Sequence, residues 1–420
     1  MVRIYRFTGV RPAPGKTQGI AAVPYDVVTA EEAREIIVRN PQSFLRVSRA
    51  DAELPDLDPH DNRVYERAGK NFRDLLDDAQ MKPDPAPSMY LYRVQQGGES
   101  FLGLCCCLDV DDYRTNRIRR HEQTRYDKEE DRTRHIEATR SHNGPVVLLY
   151  RDDDGAVFSY IKSLAATTLP AAEAYSEQGA LHQILPITDP KILAKLESLF
   201  STIPSLYIAD GHHRAKAAVN VADRYAATGK PAEGEISRLM GVMFAHDKVK
   251  IHGYSRLLTD IGSFTPETLL ESLKKSFSIT EYGDVDGCSY NITPKIPEPA
   301  KFHVIHIYLG GKWYECTRPV DSCATTLDEL DVAVLQREVL GPLFSITDPR
   351  GDARLQYLGG ARPVADLETL VDSGEYAMAF AMQPVRVGTV LAIADAGGVM
   401  PPKSTWFEPK LLSGLVIHTF

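Results

Sequence analysis

The run 205-SLYIADGHHRAKAA-218 sets an aspartate, a glycine, two histidines and an arginine at the end of an apolar stretch. Gly211 permits a tight turn and the close approach of a ligand. If a helix begins there, its unpaired backbone N–H groups and the positive end of its dipole make an anion site. Arg214 can grip phosphate oxygens through its planar fork, and His212 and His213 can add donors. Asp210, at the end of the apolar stretch, can bind a metal or orient a histidine. A helix start with incidental polar residues is the plainer alternative. Five such residues directly after an apolar strand point instead to phosphate.

A second candidate lies in 119-RRHEQTRYDKEEDRTRH-135. His-Glu suggests a zinc protease motif, but that motif needs a histidine where this chain has Arg125. The remaining chemical reading is Glu122 as a general base toward a hydroxyl, with His121 beside it. A solvated carboxylate in a charged run explains the same composition. Lys403 stands in 397-GGVMPPKST-405, which is no Walker loop because Pro402 occupies the glycine position. If the C-terminal half closes over a pocket, Lys403 is a cation within reach of phosphates. Tyr25 and Asp26 in 23-VPYDVV-28 need no more than turn formation and packing to account for them.

These residues require elements to position them. The apolar run 205–210 reads as a buried strand that feeds through Gly211 into a helix over 212–228, ended by Gly229. Residues 128–139 read as a helix charged on most faces, and 144-GPVVLLYRD-152 as a short buried strand. Upstream, 19–28 suggests a strand. Thr29 and Glu32 form a capping box for a helix over 30–40 that stops at Pro41. A further amphipathic helix is expected near 63–79. The runs 89-MYLYRV-94 and 101-FLGLCCCLDV-110, separated by Gln-Gln-Gly-Gly, signal a hairpin. Residues 155–200 read as helical, 266–276 and 327–340 as helices, and 376–383 as a strand.

The 420 residues suffice for two or three domains. Hydrophobic residues make up 43% and charged residues 25%, an ordinary globular balance. The net charge of −9 is a poor basis for salt-driven nucleic-acid binding. No run of about 18 apolar residues offers a membrane span, and the start of the chain has no apolar signal segment. The six cysteines, at 105, 106, 107, 288, 316 and 323, contain no CxxC pair. The triple at 105–107 reads as small hydrophobes in a buried strand, and the compartment expected is the reducing cytoplasm.

In order, His121-Glu122, the charged helix, 144-GPVVLLY-150 and 206-LYIADGHHRAKAA-218 resemble free-serine kinases of the ParB/sulfiredoxin superfamily. That resemblance covers roughly a third of the chain. Almost the whole chain resembles a family catalogued as domain of unknown function 1015, through 22-AVPYDVV-28, 121-HEQTRYDKEEDR-132, 143-NGPVVLLY-150, 208-IADGHHR-214 and 400-MPPKSTWFEPKLLSGL-415. The kinase resemblance implies Glu122 as base on a serine hydroxyl. It places Asp210, His212, His213 and Arg214 on donor phosphates and metal. It further implies Mg2+, a donor among ATP, ADP and pyrophosphate, and free L-serine as acceptor. This chain departs from the kinases in its long segment 151–204 between core strands. It departs from the long family in 252-HGYSR-256, where Pro-Thr-His-Arg is usual.

The expected fold is α/β, or α+β with mixed sheets. It comprises an N-terminal segment (1–100), a ParB/sulfiredoxin-like core (101–245, with insertion 151–204) and a C-terminal α/β domain (246–420). The leading functional reading is a small-molecule phosphotransferase making O-phosphoserine. Its alternative is a non-catalytic nucleotide- or phosphate-binding regulator on the same core. A DNA-binding protein is disfavoured by charge, and no helix-turn-helix pattern appears. A homodimer is the default oligomer.

Overall fold

The hairpin legible at 89–110 forms the spine of the larger sheet. In the computed structural model, strands Met89–Gln96 and Glu99–Asp109 pair antiparallel across Gly97-Gly98, with Tyr90 opposite Cys105. The structure describes residues 1–229, 234–283, 292–296, 301–322, 325–349, 351–360 and 362–420. They divide into two compact units. One holds Met1–Arg120, Thr124–Val249 and Pro409–Phe420; the other holds His121–Gln123 and Lys250–Glu408.

In the first unit, nine strands form a mixed sheet among the described residues. From one edge the order is Ile118–Arg119, Leu206–Asp210, Val146–Tyr150, Arg238–Ala245, Glu99–Asp109, Met89–Gln96, Leu181–Ile187 and Ala172–Tyr175, with Ile4–Tyr5 also paired to Glu99–Asp109. Leu206–Asp210 runs antiparallel to Val146–Tyr150, which runs parallel to Arg238–Ala245. The central strands are apolar throughout because both of their faces are covered. Cys105, Cys106 and Cys107 are buried free thiols, and burial pushes all three well up. Cys288 and Cys323 lie outside the described residues.

Helix His212–Ala227 leaves the end of Leu206–Asp210 and packs along helix Tyr126–Thr139. Ile136, Ala217, Val221 and Ile236 make a shared apolar patch there. Arg224 ion-pairs with Glu130 and Glu137 beside it. The charged helix therefore has a buried stripe of Thr133, His135, Ile136 and Thr139. Helix Ala30–Arg39 carries the expected capping box, with both Thr29–Glu32 bonds formed. A smaller sheet of four strands orders Met81–Pro83, Gly9–Pro12, Ile417–Thr419 and Ser141–His142.

Two local expectations are corrected. Residues 19–28 form no strand: helix Thr17–Ile20 is followed by a single bridge from Ala22 to Ser413, and Pro24 has no N–H to extend a ladder. Residues 155–200 are not all helical. Between helices Ala156–Thr167 and Pro190–Phe200 lie strands Ala172–Tyr175 and Leu181–Ile187 at the sheet edge, the first alternating buried and exposed.

The second unit is built on six strands paired antiparallel throughout, ordered Ser278–Tyr282, Lys312–Pro319, Phe302–Leu309, Met378–Met382, Ser255–Leu258 and Leu355–Leu358. The helix expected over 327–340 is Asp331–Leu335, continued as a π-helical turn over Gln336–Leu340. Lys250–His252 pairs antiparallel with Trp406–Glu408, which sets the two ends of the long segment of this unit side by side. The chain as a whole is a mixed α/β protein. No helix among its described residues is long and apolar enough to cross a membrane.

Candidate functional site

Gly211 adopts φ 92° and ψ 32°, a conformation that L side chains rarely take. This turn ends strand Leu206–Asp210 and starts the sixteen-residue helix His212–Ala227. The helix has no side-chain cap at its start and no acidic residue in its first turn. Gly211 has no side chain with which to cap the first N–H groups, the place where an anion is most favoured.

Asp210 carries two cations. Arg214 Nη2 donates to Oδ2 at 2.7 Å, and Lys410 Nζ donates to Oδ1 at 3.3 Å. Burial pushes the Asp210 carboxyl up, but Lys410 and Arg214 outweigh it and hold it well below the usual carboxylate range. Arg214 Nη1 also donates to the Pro145 carbonyl. Both terminal nitrogens of the guanidinium are thus engaged by the protein. A bidentate grip on phosphate through that end would break these bonds. Each carboxylate oxygen of Asp210 already faces a cation. Among the described residues, one group has metal-ligand spacing, Cys107, Glu235 and His418, with ligand atoms within 4.8 Å of one another. There His418 Nε2 and Glu235 are hydrogen-bonded at 2.6 Å, which accounts for their closeness.

His212 is buried at the first helical position. His213 is half-buried, and its Nε2 accepts the backbone N–H of Arg125 at 3.1 Å. That bond leaves the proton on Nδ1, so His213 presents a donor. Burial lowers its pKa, while Glu129, Asp26 and Asp127 act the other way.

Sequence reasoning passed over part of this neighbourhood. Tyr25 lies under the Arg132 guanidinium, 4.1 Å from ring centroid to Cζ. Its phenol is pushed up to about 12 by burial and Asp26, against Arg132 and Arg214. Arg132 also binds Asp131 at 2.7 Å. Lys410 stands in the family stretch 400-MPPKSTWFEPKLLSGL-415, which assigns it no role; its apolar flanks, 411-LLSGLVI-417, were the available signal of a buried location. The segment Asn143-Gly144-Pro145 wraps Arg214 closely: a Cβ on Gly144 would lie 3.3 Å from Arg214 Cδ.

The other expected residues belong to the second unit. His121 is 2% exposed; its carbonyl accepts the Met400 N–H at 2.8 Å and its ring lies 6.2 Å from that of Phe407. Burial brings its pKa down to about 4, so the ring is neutral. Glu122 is half-buried beside it. Lys403 is exposed, sits at φ 54°, and holds Nζ 5.4 Å over the Tyr254 ring. The structure thus gathers Asp210, Gly211, His212, His213 and Arg214 in one turn of the first unit. His121, Glu122 and Lys403 lie in the second unit.

Residues 4–333 match the family described as a protein of unknown function (DUF1015). The chain belongs to that family. No curated protein matches it. Among solved structures it is similar to a free serine kinase in complex with AMP, at 15% identity over 73% of this chain and 87% of that one, with a TM-score of 0.37. It is similar to a conserved hypothetical protein from Pyrococcus furiosus, at 14% identity over 72% and 89% of the two chains, TM-score 0.33. It is also similar to SbnI with a C-terminal truncation from Staphylococcus aureus, at 11% identity over 72% and 82%, TM-score 0.37.

Proposed function

We propose that this chain is a small-molecule phosphotransferase that phosphorylates a free alcohol, L-serine first among the acceptors to try. The observation that carries the reading is the Gly211 turn: an uncapped helix start with His213 as a neutral donor beside it. Such a turn suits the β- or terminal phosphates of ATP, ADP or pyrophosphate, because phosphoryl transfer needs positioning and charge neutralisation more than covalent help. The donor phosphates lie against backbone N–H groups and His213. Arg214 supports the turn through Asp210 and Pro145 rather than by gripping phosphate with its fork. Mg2+ arrives with the donor, as it commonly does, and not at Asp210. Glu122 takes the role of base on the acceptor hydroxyl, the role its motif implies.

Incubation with L-serine, Mg2+ and each donor in turn is expected to give O-phosphoserine. Absence of product with all three donors sinks the serine kinase reading. Glu122→Gln is expected to abolish turnover while pyrophosphate or ADP still binds; full activity removes Glu122 from the base role. A second reading, a phosphate- or nucleotide-binding regulator without turnover, is favoured by one observation. The two cations of the turn are already engaged within the protein, as Arg214 and Lys410 both hold the Asp210 carboxylate. It predicts donor binding with no phosphorylated product.

A further inference from the structure

Strand Ser255–Leu258 of the second unit carries Arg256, which is 3% exposed. A charged side chain buried this far is ordinarily paired with an opposite charge. Among the described residues no carboxylate bonds to Arg256. Its Nη1 donates to the Tyr254 carbonyl, its Nη2 lies 3.5 Å from the Pro402 carbonyl oxygen, and its Cζ lies 5.4 Å over the Tyr357 ring. The two carbonyls engage two of the five N–H groups, and neither they nor the ring carry the full negative charge that would balance the cation. Burial accordingly brings the guanidinium down to about 10, and Tyr357 and Tyr254 offset only part of that fall.

A guanidinium that lacks a counter-ion suits a planar oxyanion. One buried positive charge balances one negative charge, which is that of a carboxylate. A phosphate dianion calls for a second buried cation, and Lys403, which holds Nζ 5.4 Å over the Tyr254 ring, is exposed. The surroundings of Arg256 narrow the ligand further. Pro402 stands beside Arg256, and Met400, two residues earlier, donates its N–H to the His121 carbonyl at 2.8 Å. The Cα atoms of Met400 and Pro402 are at most about 7 Å apart. Arg256 and the His121-Glu122 pair therefore stand against one tripeptide within the second unit. Pro401 and Pro402 are half-buried and Lys403 is exposed, so the turn that touches the guanidinium reaches the surface.

We infer that Arg256 binds the carboxylate of the acceptor, so that the alcohol phosphorylated is a small hydroxy acid or hydroxy amino acid. This deepens the kinase reading and rests on it, through the role given to Glu122 as base. The carboxylate supplies the charge that the sheet withholds from Arg256, and the acceptor's hydroxyl is left for Glu122.

The test is binding, measured by calorimetry on the full chain for two matched pairs: L-serine against L-serinamide, and glycolate against glycolamide. Each amide keeps the hydroxyl and lacks the carboxylate. Each acid is expected to bind about tenfold more tightly than its amide, or better. Arg256→Met fills the space without the charge; it is expected to bring each pair within about twofold, and to melt no lower than wild type without ligand, because an unbalanced buried charge has gone. Arg256→Gln keeps donors for the two carbonyls, is expected to behave in the same way, and decides the matter if the methionine variant does not fold. The inference is overturned if neither acid outbinds its amide in wild type, or if a folded variant keeps the preference. It is overturned as well if both variants melt more than about 5 °C below wild type without ligand, since Arg256 then holds the sheet rather than a ligand. Failure of the kinase reading looks different: the preference for acids persists in wild type and no phosphoserine forms. Phosphorylation of L-serinamide with the same KM as L-serine leaves the kinase reading standing and removes Arg256 from it.

Discussion

Asp210→Asn keeps the shape of the side chain and removes its charge, leaving two cations facing a neutral amide. Arg214 donates to Asp210 at 2.7 Å and Lys410 at 3.3 Å, with side chains 12% and 26% exposed. Breaking a fully buried ion pair from one side costs about 3–5 kcal/mol. Lys410 retains access to water and can turn away, so a discounted cost of about 2–3 kcal/mol is appropriate here. For a unit of this size that corresponds to a fall in Tm of roughly 5–10 °C. Lys410→Met alone is expected to cost less than about 1 kcal/mol, and to become neutral or stabilising on the Asp210→Asn background. The pH dependence has a definite sign. The folded carboxyl lies well below its unfolded value, so the stability it contributes is complete above the ordinary aspartate range and is lost only as pH falls through the lower folded value. The advantage of wild type over Asp210→Asn should therefore be flat from pH 7 to 5 and shrink in strong acid. Differential scanning fluorimetry of the four proteins decides it. If Asp210→Asn melts within about 1 °C of wild type, or if Lys410→Met has the same effect in both backgrounds, the charge cluster does not hold the turn in the way described.

Gly211→Ala places a Cβ 3.0 Å from the Arg214 guanidinium and forces a positive φ on an L residue; a loss of about 2–4 kcal/mol and of pyrophosphate binding is expected, and a wild-type melting curve would refute it. His121 and His182 are both 2% exposed, and burial lowers each to about 4. Because the unfolded chain takes up their protons first, stability should fall as pH drops from 6.5 to 4, by up to about 3 kcal/mol per histidine, and His121→Phe should flatten part of that slope in urea titrations. Thr29→Ala removes one half of the capping box and is expected to cost about 1 kcal/mol, read as faster local amide exchange in helix Ala30–Arg39.

What the sequence made legible was governed by local rules. Period and caps placed helices Ala30–Arg39, Asn62–Asp77 and His212–Ala227, and the Gly97-Gly98 hairpin. The Gly211 turn was readable because glycine after an apolar strand has few other uses. What escaped depended on distant pairing. Leu181–Ile187 contains Pro186, which obscured a strand that is completed by seven partners in Met89–Gln96. Tyr25 looked like turn chemistry because nothing local foretells Arg132 stacked upon it. Lys410, two hundred residues from Asp210, has only its apolar flanks as a local signature, and these do not foretell its partner.

The pairing of Lys250–His252 with Trp406–Glu408 has a thermodynamic consequence. Residues 409–420 belong to the first unit, but residues 250–408 intervene along the chain. With that stretch unfolded, bringing Lys410 to Asp210 closes a very long flexible loop. Once it is folded with its ends adjacent, it acts as a bridge of a few residues. The difference is about five doublings of loop length, worth about 3 kcal/mol at about 0.6 kcal/mol each. Folding of the second unit therefore tightens the Gly211 turn through chain connectivity alone. A ribosome also adds residue 410 only after it has polymerised residues 250–408, so a chain released early carries the turn without its lysine.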